Sequence, residues 1–378
     1  MSEPVNLDTF FPGSDEASLR FWKAVREIIV AMDANKNNLK VIVSIVGVVA
    51  NTFHLTVSTR KSMRTSSINV FLICICLCDL AFMISVIGIY TENFLSFLKS
   101  SKESPECDPP ATYLLLVIDF FSVLSMVTRW LSVWFAVGMT VLRASILHNP
   151  LNPKIINLTD AKYGNRVLFI IKLSILPLAL IEYFQFSIEE NKMWVVPDHC
   201  LNLTANFTVM EYYLKPSDFL YGTGYEMKLL FEGIMFNVLP SVILPVATII
   251  LVRGLRKSKE MKKNAKISNR TDGHTIGKST KIVTLVSITF IIGLAPIGTA
   301  YVAEFLLSSS RGVRMIIENI FNFFSFVLII MGTAHFLICF LMSSQYRSTA
   351  RELFPKREVQ LDERTAIGFV VLVSSAHS

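Results

Sequence analysis

Seven separate apolar stretches constrain this chain more than any other feature. They run roughly over 39–58, 68–90, 111–142, 167–187, 227–252, 281–307 and 315–342. A bilayer core about 30 Å thick takes about 20 residues of helix to cross. In hydrocarbon every backbone polar group must pair internally, so each stretch is expected to be helical. A membrane barrel would instead show segments of about ten residues with alternating polarity, and none is visible. The expected architecture is an all-α bundle of seven transmembrane helices. Residues 1–38 precede it, a short amphipathic surface helix spans 343–356, and a tail occupies 357–378. Composition agrees, with 52% hydrophobic and 17% charged residues where a soluble domain carries about 25% charge. The third stretch is too long to stand along the bilayer normal and is expected to tilt or protrude.

The bias of lysine and arginine sets the orientation. The connections 59–66, 144–166, 253–281 and 347–364 hold 21 of these residues, and 1–38, 91–110, 188–225 and 308–314 hold 10. The first set is therefore expected to face the cytoplasm, with the N-terminus outside. Residues 1–18 lack the basic-then-apolar order of a cleaved signal peptide, so the first span is expected to act as an uncleaved insertion signal. Cys107 and Cys200 fall on the outer side, where oxidation can occur. So do the glycosylation sequons at Asn202 and Asn206. Those at Asn157 and Asn269 fall on the inner side and read as chance matches. A multi-pass plasma-membrane protein with no nucleic-acid partner is expected, because the net charge of +7 is dispersed over short connections rather than gathered on a soluble face.

The spans carry a recognisable order of landmarks. Asn51-Thr-Phe-His54 is followed by Arg60-Lys-Ser-Met-Arg-Thr-Ser-Ser-Ile-Asn69, Arg129-Trp-Leu131, Pro296-Ile-Gly298 and Met342-Ser-Ser-Gln-Tyr-Arg347. On these pieces the chain resembles the rhodopsin-like receptors over about 39–355, and within them the nematode serpentine receptors of class W, relatives of neuropeptide receptors. The resemblance implies a receptor for an extracellular ligand that activates a heterotrimeric G protein. It implies that Asn51 and Asp79 join a central polar network, the alternative being a pair that only fixes packing. It implies that Arg143 meets the G protein, the alternative being an arginine snorkelling to headgroups. The acid that normally restrains this arginine is replaced by Leu142, so high basal activity is in play. Pro240 and Pro296 are expected to bend their helices. Phe290 precedes Pro296 at the family spacing, but Leu294 stands where the family has a tryptophan. His335 occupies the usual asparagine position of the last span. It is expected to be mostly neutral, and either replaces that asparagine in the network or bonds a backbone carbonyl. The resemblance also implies a Cys107–Cys200 disulfide.

Arg129 lies fourteen residues before Arg143, about 21 Å along a helix, well inside the bilayer. A charge there faces the bundle interior and needs a partner or water. Two readings stand. Arg129 and Glu232, with Glu182 nearby, line the ligand cavity, or Arg129 simply pairs with Glu232 or Glu182. An amine ligand is disfavoured because Ser125 stands where amine receptors carry an aspartate, and retinal because no lysine occurs between 315 and 342. A peptide is favoured and a small chemosensory molecule is the alternative. The outer segment 188–225, with its acidic residues, suits a basic peptide. Transporters show repeated halves and membrane enzymes a clustered catalytic set, and neither is visible. A non-signalling scaffold is a further alternative. No cofactor or metal is expected, and Cys74-Ile-Cys-Leu-Cys78 reads as membrane core.

Overall fold

The computed structural model describes residues 36–99, 112–148, 157–195, 208–217, 223–264, 270–307 and 311–353, with isolated positions between 16 and 27. The helices are α1 Lys36–Ser58, α2 Ser67–Lys99, α3 Thr112–His148, α4 Ala161–Tyr183, α5, α6 Arg270–Leu307, α7 Arg311–Met342 and α8 Ser344–Glu352. Helix α5 has three continuous parts: Thr223–Gly233, a π-helical turn Ile234–Val238, and Leu239–Asn264. Seven of the described helices are long and apolar enough to cross a bilayer. The chain is thus a seven-span, all-α, multi-pass membrane protein.

Its solvent pattern is that of a protein in lipid. Helix α4 turns Phe169, Ile170, Leu173, Leu176 and Leu180 outward, each more than half exposed. Its inward side carries Leu168, Ile175 and Glu182. Polar side chains are gathered inside instead, among them Asn51, His54, Asp79, Arg143, Glu232 and His335. With no hydrophobic drive between helices in lipid, close contact and hydrogen bonding hold such bundles together. Gly47 shows the close contact: a β-carbon there would sit 2.3 Å from Met83 Sδ and 2.7 Å from Thr333 Oγ1. Its missing side chain lets α1 lie against α2 and α7 together.

The densest apolar core lies toward the Arg143 end. Phe71, Phe135, Met139, Leu244, Leu251, Val286 and Leu294 pack there with Tyr346 of α8. Toward the other end, Trp130 stacks on Phe236 with centroids 4.3 Å apart and planes 9° from parallel. That contact joins α3 to the π-turn of α5. The π-turn immediately precedes Pro240, which has no N–H to donate. The Leu239 N–H reaches back to the Ile234 carbonyl, and the Asn237 amide lies 3.5 Å from the Glu232 carbonyl. The loosened backbone is thus served by a wider turn and a side chain. Helix α6 meets this turn through Gly298, whose added β-carbon would stand 3.1 Å from the Val238 nitrogen.

The segment between α4 and α5, expected only as a long loop, holds an antiparallel hairpin. Strand β1 Phe186–Val195 pairs with β2 Thr208–Pro216, with an irregularity between Glu190 and Met193. Lys215 joins Glu189 across the strands at 2.8 Å. That ammonium, with the Tyr213 hydroxyl, holds the exposed Glu189 carboxyl below its ordinary range. At the opposite end, Ser343 caps α8 by accepting from the Tyr346 N–H.

Candidate functional site

Four polar constellations lie along the bundle interior. The central one is built on Asp79 of α2. Its Oδ2 accepts from His335 Nδ1 of α7 at 2.7 Å, and its Oδ1 accepts from Ser132 of α3 at 3.1 Å. His335 Nε2 lies 3.1 Å from Thr289 Oγ1 of α6, and the His335 ring packs on Phe290. A carboxylate only accepts, so Nδ1 carries the proton toward Asp79. One imidazole therefore links α2, α6 and α7, and Ser132 adds α3. Asn51 stands beside this group rather than in it: its amide donates to the Gly47 carbonyl at 3.0 Å and lies 3.4 Å from that of Gly332. Asn51 and Asp79 are thus tied to the same helices without bonding each other.

Above this network an open cavity is lined by Asp79, Phe82, Arg129, Phe290, Leu328 and His335, among others. Arg129 projects into it from α3 with the Tyr301 hydroxyl of α6 beside its guanidinium. Tyr301 also neighbours Glu232 and Lys228, which brings the cavity next to a second constellation.

That second group centres on Lys228, one helical turn before Glu232. Its ammonium lies 2.7 Å from Glu182 Oε2 and 2.9 Å from Glu232 Oε1, and donates to Gln185 Oε1 at 2.6 Å. Gln185 in turn donates to Glu182 Oε1 at 2.7 Å. The Glu182 contact is an ion pair by distance, bent away from hydrogen-bond alignment. Glu232 Oε2 is buried without a hydrogen-bond partner. Two carboxylates from α4 and α5 thus share one lysine in a buried place, where charges persist only when paired. Among the described residues no carboxylate reaches ion-pairing distance of Arg129. The pairing of Arg129 with Glu232 or Glu182 does not occur, because Lys228 holds both acids.

A third group lies at the far end of α3. Arg143 is buried, and its Nε donates to Thr280 Oγ1 of α6 at 3.2 Å. One turn away the Thr140 and Ser287 hydroxyls meet at 2.8 Å. Leu142 and Ala144 are buried apolar neighbours, so neutral hydroxyls join α3 to α6 here. Arg143 points into the bundle in this structure. A fourth contact joins His54 Nδ1 of α1 to the Tyr346 hydroxyl of α8 at 3.0 Å. Burial pushes the Tyr346 phenol up from its ordinary range.

Cys74, Cys76, Cys78 and Cys339 are free and lie within helices. Cys107, Cys200, Asn202, Asn206, Asn269 and the tail beyond 353 lie outside the described residues. Leu294 is fully buried at the position where the family carries tryptophan. Lys228, Tyr301, Thr289, Ser132 and Thr280 escaped the sequence reading. The Lys228–Glu232 spacing of one turn is a helical ion-pair signal and could have drawn notice. The others are ordinary hydroxyls until their helix faces are known.

The described residues thus form a seven-span helical bundle with polar groups buried at its centre. The sequence model described as "Serpentine type 7TM GPCR chemoreceptor Srw" matches residues 38–357, and the chain belongs to that family. No curated protein matches the chain.

Proposed function

We propose that this protein is a plasma-membrane receptor that binds an extracellular ligand beside Arg129 and activates a heterotrimeric G protein beside Arg143. The hairpin end faces out and the Arg143 end faces in, in keeping with the loop charges. The observation that carries the reading is the Asp79–His335–Thr289 chain. Asp79 and His335 line the same cavity as Arg129. A ligand seated there touches groups that hold α2, α6 and α7 in one arrangement. It acts by favouring a different arrangement of α6, and only by as much as its affinity for the two states differs. Opening of α6 separates Thr280 from Arg143 and frees a basic surface for the G protein.

A peptide is the favoured ligand. Its bulk suits the outer hairpin, and the acidic residues there suit basic side chains. The second reading is a small chemosensory molecule. It is supported by the family description, which names chemoreceptors. It is also supported by the lining of the cavity, where apolar side chains surround a few polar groups, as in small-ligand pockets. A G-protein activation screen in a heterologous cell tests both, with a neuropeptide library in one arm and small volatiles in the other. Activation by a peptide that is lost in Arg143→Ala supports the first reading, and activation by volatiles alone supports the second. Good surface expression with neither basal nor evoked activity would favour a non-signalling scaffold.

A further inference from the structure

Arg129 is a guanidinium deep in a membrane bundle, and among the described residues no carboxylate lies within ion-pairing distance of it. Asp79 is held through both oxygens by His335 and Ser132. Glu182 and Glu232 share Lys228. The Tyr301 hydroxyl lies beside the Arg129 charge. A charge at this depth is costly unless it meets an opposite charge or water. Arg129 is half-buried and lines an open cavity, so the counter-charge can enter from outside the chain.

We infer that the ligand carries a carboxylate, and that Arg129 is its anchor. The planar guanidinium fork matches a carboxylate through two parallel N–H bonds. The remaining lining matches in character an anionic head on an apolar body: Phe82, Phe290, Leu328 and Met331 stand around the charged centre. Lys228 is taken by the two glutamates, which leaves Arg129 as the anion site of the cavity among the described residues. The inference rests on the proposed ligand cavity and sharpens it. A peptide bound this way presents a free C-terminus or an acidic side chain, and a small odorant bound this way is an organic acid. This differs from the basic peptide that the acidic outer segment suggests.

The test uses the full chain in nanodiscs and reads its thermal unfolding midpoint. One arm adds a panel of aliphatic and aromatic monocarboxylic acids, each beside its methyl ester. The other adds a pool of tripeptides with free C-termini beside the same pool amidated. The expected result is a rise of several degrees with an acid form at ~100 times its Kd, absent with its neutral counterpart and absent in Arg129→Gln. The arm that responds tells an organic acid from a peptide terminus. Equal shifts by acid and neutral forms overturn the inference. So does a shift that survives in Arg129→Gln, or silence of every acid in both arms. Should Arg129→Gln fail to fold, Arg129→Lys carries the test. It keeps the charge without the planar fork, so at least tenfold weaker binding is expected, and unchanged binding overturns the inference. Stabilisation by esters or amidated peptides alone would end the carboxylate claim and leave the receptor reading intact. The G-protein screen reads that claim independently.

Discussion

His335 of α7 holds Asp79 of α2 at 2.7 Å, and its other ring nitrogen reaches Thr289 of α6 at 3.1 Å. The last span lacks an asparagine at this position, and an imidazole does the bridging. An asparagine amide could reach one of these partners but not both across the same distance. His335→Ala leaves the Asp79 carboxylate with Ser132 alone in a buried site. Breaking a buried pair from one side costs about 3–5 kcal/mol. Thermal unfolding of purified receptor should therefore fall clearly for His335→Ala and less for His335→Gln, which restores one bond. Equal stability of His335→Ala and the native chain would refute the bridging role.

The Lys228 cluster makes a non-additive prediction. Lys228→Met strands two carboxylates at one buried place and is expected to cost about 3–5 kcal/mol. Glu182→Gln with Lys228→Met removes one stranded charge and should recover part of that loss. A double-mutant cycle on folded yield and unfolding midpoint measures the coupling. Additive losses would mean that the three side chains do not act as one unit.

Tyr346 ties α8 to α1 through His54. Tyr346→Phe keeps the ring and loses the bond while His54 Nδ1 keeps the Ser58 hydroxyl at 3.4 Å, so it should cost about 0.5–1.5 kcal/mol, the net worth of one hydrogen bond. Tyr346→Ala also opens a cavity and should cost about 3–5 kcal/mol. Because burial raises the phenol's pKa, the folded protein holds this proton more tightly than the unfolded chain. The resulting stability is complete below the ordinary tyrosine value of about 10 and is lost as pH rises through the raised one. Midpoints of the native chain should therefore fall more steeply than those of Tyr346→Phe in strongly alkaline buffer. Parallel pH curves would contradict this.

The seven spans were legible in the sequence because their signal is local: twenty apolar residues must be helical in lipid whatever their neighbours do. Asn51, Asp79 and His335 were legible as polar residues at costly depths. Arg129 stood out for the same reason, but its surroundings did not. Its expected partners, Glu182 and Glu232, turn to Lys228, a residue at the very start of the fifth apolar stretch. Only the packing of α4 against α3 and α5 brings Glu182 to it. Thr280 lies in the polar lead-in to α6, where Thr275, Ser279 and Thr284 look the same in sequence. The hairpin was hidden because Glu189-Glu190-Asn191-Lys192 interrupts the alternation that marks a strand. Its pairing with Thr208–Pro216 is tertiary information.

Arg143 of α3 donates to Thr280 of α6 at 3.2 Å, a charged-to-neutral hydrogen bond between the two helices. Such a bond is worth about 1.5–3 kcal/mol, and each 1.4 kcal/mol is a tenfold change in an equilibrium. The most direct measurement of the central claim is basal nucleotide exchange on a panel of heterotrimeric G proteins, in membranes at matched receptor expression. The native chain, Thr280→Val and the pair Thr280→Val with Arg143→Ala are compared. If α3 and α6 part to admit a G protein at Arg143, Thr280→Val raises exchange about tenfold for at least one G protein, and adding Arg143→Ala abolishes the rise. Exchange that stays at background in all three, or a Thr280→Val rise that persists without Arg143, would contradict the account.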